Sequence, residues 1–548
     1  MPHRYTLNAQ PGVAQPTAQP AAQPAVQPTR REDPTLSLWK PPERVFARAI
    51  SRMIYTNPFL PDRIAREREA QGAEFIEGDS DWNVRAESEG QHPNITRMTE
   101  RAGVLIHQAR DRLAAGLRPS QEDLRLYEDL AIFFLYHHYY GDLQELCRTD
   151  ESAVEKRRPV AFYPRLREDL ERLLVIPGLG QTGPEDLPRL FAFFFQVRRA
   201  FHHIFHFIVG TSRPVVWLRA AAWQSIFTHD MRRYRAALYE RLGDFATLIT
   251  GASGTGKELV ARAIGLSQYI PFDPATGAFT DDFTGSFHAL DLSTLSPTLI
   301  ESELFGHRRG SFTGAIEDRA GWLEICSPRG TVFLDEVGEI GLPIQVKLLR
   351  VLQTRVFQRI GDTRRREFRG KIIAATNRDL AAEIEAGRFR PELYYRICSD
   401  MIRTPSLREQ LDADPRELPR LVAFVSRRVA GGAGESLAAE VLSWIVKHLG
   451  ADYAWPGNFR ELEQCARNIL VRGEYHPARA APQASADRLA AQVVRGDLTA
   501  DDLLDRYCSL VRSRVESDEA AGRRLGLDRR TVKKRAEAGR AADARLEA

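Results

Sequence analysis

Cysteine is scarce in this chain. The five present, Cys147, Cys326, Cys398, Cys465 and Cys508, lie far apart and none forms a CxxC pair. That spacing excludes a disulfide framework and the usual zinc clips, and suits a reducing cytoplasm. Charge of one sign is also missing: 77 Lys and Arg stand against 73 Asp and Glu, a formal net charge of +4. Any case for nucleic acid must therefore come from local clusters. The start of the chain lacks the charged and apolar segments of a signal peptide. No long uninterrupted apolar run is present either. The nearest, from Leu190 to Val209, is broken by Arg198, Arg199, His202, His203 and His206. A spanning helix needs about 20 mostly apolar residues, so this run is expected to be a buried helix with no membrane role.

What is present is enough apolar residue, 43% of 548, for sizeable cores, and length for roughly three domains of about 100–200 residues. Residues 1–34 are rich in Ala, Gln and Pro, have little to bury, and are expected to form a disordered tail. Residues 35–220 carry helical periodicity, as in Glu43 to Tyr55 and Glu122 to Leu146, and predict a mainly α-helical, aromatic-rich domain. From 221 to 404 short apolar runs (Ala246 to Thr250, Thr331 to Leu334, Lys371 to Ala375) alternate with helical stretches. That alternation predicts an α/β domain with a parallel sheet and a ligand at the strands' C-terminal ends. Residues 405–473 read as a helical subdomain, 474–498 as a linker, and 499–548 as a compact helical end.

Two elements carry phosphate chemistry. Gly251, Ala252, Ser253, Gly254, Thr255, Gly256, Lys257 and Glu258 form a GxxxxGK loop between a strand and a helix. Its glycines let backbone amides curl round phosphate oxygens, the helix start adds positive potential, and Lys257 supplies a point charge. The Ser or Thr expected after the lysine is Glu258. Downstream, four apolar residues end in Asp335 and Glu336. Asp335 is expected to hold Mg2+ and Glu336 to orient and deprotonate a water, the parts that hydrolysis of ATP requires.

A third element is rarer. The segment ESELFGHRRGSFTGA, Glu301 to Ala315, contains Gly310, Ser311, Phe312, Thr313, Gly314 and Ala315. Glycines at both ends free the backbone, and an aromatic at a flexible tip marks a contact surface. At the C-terminus, Ala520, Ala521 and Leu525 give a small apolar face, Gly526 permits a turn, and Asp528 can cap a second helix. That helix carries Arg529, Arg530, Thr531, Lys533, Lys534 and Arg535, which suits the phosphates and base edges of a major groove; Val532 is expected to face the core.

Taken together, the GASGTGKE loop and the GSFTGA segment resemble the central domain of the sigma-54-dependent transcription activators, a branch of the AAA+ ATPases, from about Asp244 to Leu470. The C-terminal block resembles the Fis-type helix-turn-helix reader of the same family. GxSGTGKE is that family's usual loop, so the resemblance accounts for Glu258. It also implies roles that the residues alone do not. Asn377, ending the run Lys371 to Thr376, matches sensor I. Arg390 and Arg396, in FRPELYYR, match arginine fingers reaching a neighbouring subunit's ATP, and Arg460, in WPGNFREL, matches sensor II. Residues 310–315 match the loop that grips sigma-54 when ATP is bound, with Ser311 where Ala is usual. The family works as a ring, commonly a hexamer built from dimers, bound to double-stranded DNA upstream of promoters. It opens promoters held by sigma-54 RNA polymerase in the cytoplasm.

The chain departs from the family pattern in two places. Asp291 stands where an Asn usually relays nucleotide state to the catalytic Glu, and Ser225 to Met231 lacks the glycine of the usual adenine-contacting segment. The resemblance does not reach residues 1 to about 220. Two histidine clusters there, His137–His138 and His202–His203 with His206, are either a metal or haem site or satisfied core residues. Two other readings are a DNA-binding AAA+ regulator that no longer engages sigma-54, and an AAA+ remodeller of another protein.

Overall fold

In the computed structural model, which describes residues 37–77, 92–149, 159–178, 182–239, 241–281, 287–450, 452–477, 489–490, 492–493, 496, 498–515 and 517–547, five segments form one parallel sheet. They are β1 (Thr247–Thr250), β2 (Phe287–Asp291), β3 (Thr331–Asp335), β4 (Lys371–Thr376) and β5 (Asp400–Arg403). All pair in parallel, in the order β5-β1-β4-β3-β2. The α/β class with a parallel sheet and a mainly helical N-terminal region is as expected. The 1–34 tail, most of the 474–498 stretch and residues 282–286 lie outside the described residues.

Successive side chains on a strand point to opposite faces, and a parallel sheet must be covered on both. Leu248, Val332, Leu334, Ile372 and Ala374 face one core, with helices Pro297–Phe305 and Leu342–Thr354. Ile249, Phe333, Ile373, Ala375 and Ile402 face the other. This second core does not stop at the α/β unit. It runs continuously into the helices between Leu38 and Phe227.

Helix Leu187–Phe207 lies on that face and is tied to the loop after helix Lys257–Gly265. Gln196 Nε2 donates to Ser267 O at 3.0 Å, and Arg199 donates to Gln268 O at 3.1 Å and to Leu266 O. Arg199, one of the charges that interrupt the apolar run, thus serves as a partner for backbone carbonyls. Among the described residues no helix is long and apolar enough to cross a membrane. The expected division at 220/221 falls inside helix Arg213–Phe227, because that helix packs on both regions.

The histidines do not gather as a ligand set: His138 and His206 are exposed, and His137, His202 and His203 are half-buried. Burial pushes the His137 pKa down to about 3 and lowers His203 well below the usual range. The rings of His202 and His206 stack 6.0 Å apart. Among the described residues no group of three His, Cys, Asp or Glu side chains is placed to hold a metal.

A buried carboxylate joins the N-terminal helices to the helical subdomain. Glu417, fully buried at the start of helix Glu417–Ala430, accepts from the Thr211 amide at 2.8 Å and from its hydroxyl. Glu417→Ala strips a charged acceptor from a buried amide. It is expected to cost about 2–3 kcal/mol, read as a lower urea midpoint by far-UV circular dichroism. An unchanged midpoint would make this contact incidental.

Candidate functional site

The chain leaves β1 through residues 251–256 and enters helix Lys257–Gly265. Gly254 and Gly256 have φ of 77° and 87°, left-handed values at which side chains are strained. Gly254 also lacks room: a Cβ there would lie 2.3 Å from Gly457 O. Thr255 closes the turn, donating to Ala252 O at 2.8 Å and meeting the Thr404 hydroxyl at 2.7 Å.

The Lys257 side chain is 7% exposed. Its ammonium donates to Gly251 O at 3.1 Å and lies 3.5 Å from Glu336 Oε1. Glu258 is bound along its helix to Arg262 Nε and Nη2 at 3.0 and 2.8 Å and also lines the space beside the loop.

β3 neighbours β4, so its end delivers Asp335 and Glu336 opposite the loop. Burial, and then the charge of Glu336, raise the Asp335 carboxyl above its usual value; Lys257 opposes them and Asp291, its register partner on β2, adds to the rise. Crowded carboxylates of this kind favour a cation. Glu336 has φ 54°, uncommon for a residue with a side chain. Its Oε2 accepts from the Asn377 backbone amide at 3.0 Å. Asn377 therefore reaches Glu336 through its main chain, and its side chain is exposed. Asp291 does not touch Glu336: its Oδ1 accepts from the Ser293 amide and hydroxyl at 2.9 and 2.7 Å.

The helical subdomain closes the other side. Where helix Asn458–Arg472 starts, Arg460 Nη1 donates to Ser253 Oγ at 2.9 Å, Asn458 Nδ2 to Ser253 O at 3.0 Å, and the Phe459 amide to Gly254 O at 3.0 Å. A cavity of about 260 Å³ is enclosed between loop, acids and Arg460. Its apolar wall is Phe207, Ile208, Val209, Val215 and Leu218. The motifs do not point to that wall. Ser225 to Met231, where the family pattern would place a base contact, does not line the cavity: Ser225 is buried, with its Oγ 3.1 Å from Thr247 Oγ1. The apolar Phe207-Ile208-Val209 just before Gly210 was the available signal.

Arg390 precedes helix Pro391–Ile397, Arg396 lies in its last turn, and neither lines the cavity. Arg390 Nε is 3.4 Å from Glu392, and Arg396 is exposed.

The Gly310–Ala315 loop lies apart from the cavity. It closes on itself, with the Gly310 amide donating to Ala315 O at 2.8 Å. Thr313 and Gly314 are exposed, Ser311 and Phe312 half-buried. Phe312 was expected to stand free; instead its ring meets His307 edge-on at 5.0 Å, because the loop folds back on its own base.

At the C-terminus, helix Asp518–Leu525 ends at Gly526, φ 68°, and Asp528 caps helix Arg529–Glu547 by accepting from the Arg530 and Thr531 amides. Hydrogen bonds to Thr531 and these amides hold the Asp528 carboxyl below its usual value. Val532 is buried, and Arg529, Arg530, Lys533 and Lys534 are exposed. Arg535 faces the other way, because it shares the face of Val532 and Ala536. It pairs with Asp501 and Asp505 of helix Ala500–Ser513.

Residues 228–403, which carry most of this geometry, match the family model described as the Sigma-54 interaction domain. The transcriptional regulatory protein ZraR of Klebsiella oxytoca is 36% identical over 298 residues, 53% of this chain and 62% of the relative. The Nif-specific regulatory protein of Azotobacter vinelandii is 40% identical over 229 residues, 41% of this chain and 40% of the relative. The chain thus spans less than two thirds of these curated relatives' length. The solved structure of NtrX from Brucella abortus in complex with ATP aligns at 20% identity with a TM-score of 0.37, over 69% of this chain and 80% of that one.

Proposed function

We propose that this chain, whose residues 228–403 are a sigma-54 interaction domain of the AAA+ class, is an ATP-driven transcription activator that opens promoters held by sigma-54 RNA polymerase in the cytoplasm. Its main support is convergence: phosphate loop, acid pair and Arg460 meet at one cavity, while the Gly310–Ala315 loop stands outside it.

In this reading residues 251–257 take the ATP phosphates on backbone amides and Lys257. The apolar wall from Phe207 to Leu218 receives the base. Asp335 would hold Mg2+, which would supply charge neutralisation for the phosphates. Glu336 removes a proton from the attacking water, Asn377 fixes the Glu336 carboxylate, and Arg460 reports the nucleotide to the helical subdomain. Arg390 and Arg396 complete the neighbouring subunit's site, so the working form is a ring, a hexamer built from dimers.

Apart from the first boundary, which helix Arg213–Phe227 spans, the domain division follows the same lines: regulatory helices, ATPase to 404, helical lid to 473, linker to 498, then the DNA reader. Arg529, Arg530, Thr531, Lys533 and Lys534 enter the major groove of DNA upstream of the promoter. Residues 310–315 bear on sigma-54.

The deciding experiment is permanganate footprinting of a sigma-54 promoter carrying an upstream site. Melting at the start site should require this protein and hydrolysable ATP together. ATP turnover without melting would favour a remodeller of another protein, and DNA binding without either would favour a regulator that has lost sigma-54.

A further inference from the structure

A second cavity, about 770 Å³, lies where the N-terminal helices meet the segment leading into β1. Ligand pockets typically run about 300–1,000 Å³. Six arginines line it: Arg48, Arg52, Arg125, Arg189, Arg232 and Arg235. The acids in its wall are Glu122, Glu128 and Asp186.

Pairing takes up most of this excess and leaves one guanidinium over. Glu122 takes Arg48, Glu128 takes Arg235 and Asp186 takes Arg189. Arg52 and Arg232 find Glu69 and the buried Asp129 outside the wall. Arg125 has no acid partner among the described residues, and it is exposed to the cavity mouth.

The floor is different in kind. Leu126, Leu190, Phe193 and Tyr269 are buried there, and the Tyr239 ring lies 4.7 Å from that of Tyr269. The Arg189 guanidinium sits over Tyr239 at 5.7 Å. An apolar, aromatic floor beneath a rim of guanidinium groups fits a small molecule with a flat body and an anionic end.

The backbone here is also unusual. Residues Tyr234–Leu238 form a π-helical turn, a rare conformation that concentrates at functional sites. It brings Arg232, Arg235 and Tyr239 to one wall. Helix Leu187–Phe207 then joins the two cavities: Arg189, Leu190 and Phe193 line this one, and Phe207 lines the nucleotide cavity.

We propose that this cavity is a binding site for a small aromatic-bodied anion, a carboxylate or a phosphate ester, held by the arginine rim over the Phe193–Tyr239–Tyr269 floor. The proposal is independent of ATP hydrolysis and is read by binding alone.

Isothermal titration calorimetry on the full chain at low salt, with ADP saturating the nucleotide cavity, uses two probes. Phthalate represents the carboxylate class and phenyl phosphate the phosphate class. At least one should bind with one-to-one stoichiometry. Arg125→Ala, and separately Arg235→Ala, should weaken that binding about tenfold, with melting temperatures near the parent's to show that both fold. A parent that binds neither probe, or folded variants that both bind as tightly as the parent, would overturn the assignment.

Discussion

Glu336→Gln should bind ATP at least as well as the parent and turn it over at about a hundredth of the parent rate or less, since a placed general base contributes about 10²–10⁴. The substitution keeps the side chain's shape and removes its charge and basicity. In the structure that charge sits 3.5 Å from the Lys257 ammonium and accepts the Asn377 amide at 3.0 Å. Loss of the charge frees the lysine for phosphate, which is why affinity should hold or rise. It also relieves Asp335, whose carboxyl is raised partly by Glu336. The left-handed backbone at Glu336, φ 54°, is a strained conformation. Strain of this kind costs on the order of 1–3 kcal/mol and persists where the surroundings enforce it. The measurement is a nucleotide-binding titration beside a steady-state phosphate-release assay. Turnover within a few-fold of the parent would remove Glu336 from the role of base, leaving Asp335 to be tested next.

Much of the sheet was legible because its central strands are unbroken apolar runs. Lys371–Thr376 is buried at every position, as a strand covered on both faces must be. β5 was not legible. Asp400–Arg403 is an edge strand in which only Ile402 is buried and Met401 is 60% exposed, so it makes no apolar run. The phosphate loop was readable because glycine spacing records backbone need directly, as φ at Gly254 and Gly256 shows. Contacts made through the main chain left no such record: the Asn377 amide serves Glu336 whatever side chain it carries. The apolar wall of the nucleotide cavity was hidden for another reason. Phe207 to Leu218 lie ahead of the recognisable motifs and reach the site only because helices Leu187–Phe207 and Arg213–Phe227 share a core with the sheet. Helical phase also decided Arg535. Three residues after Val532 it turns toward Asp505, whereas Arg530, Lys533 and Lys534 stay on the open face.

Phe312→Ala should abolish promoter melting while leaving ATP hydrolysis within about threefold of the parent. A central aromatic contact is commonly worth about 2 kcal/mol or more, about thirtyfold in affinity, and a loop that must hold its partner through a cycle cannot lose that much. Hydrolysis should survive because no residue from 310 to 315 lines the nucleotide cavity. Folding should survive too, since Phe312 is half-buried and its ring contact is with His307, which keeps its own bond to Ser302 at 2.7 Å. If the loop acts as proposed, the same contact sets its starting position. With Phe312 against His307 the aromatic is stowed, and Gly310 and Gly314, at φ 79° and 101°, are the places where the backbone can swing it outward. Gly314→Ala, which keeps the aromatic but strains one of those hinges, should therefore lower melting as well, by slowing presentation of the ring. Permanganate reactivity at the start site and phosphate release, measured on the same samples, separate the two activities. If Phe312→Ala melts the promoter as the parent does, sigma-54 is gripped elsewhere, and the exposed Ile316, 82% accessible just beyond the loop, becomes the next residue to change.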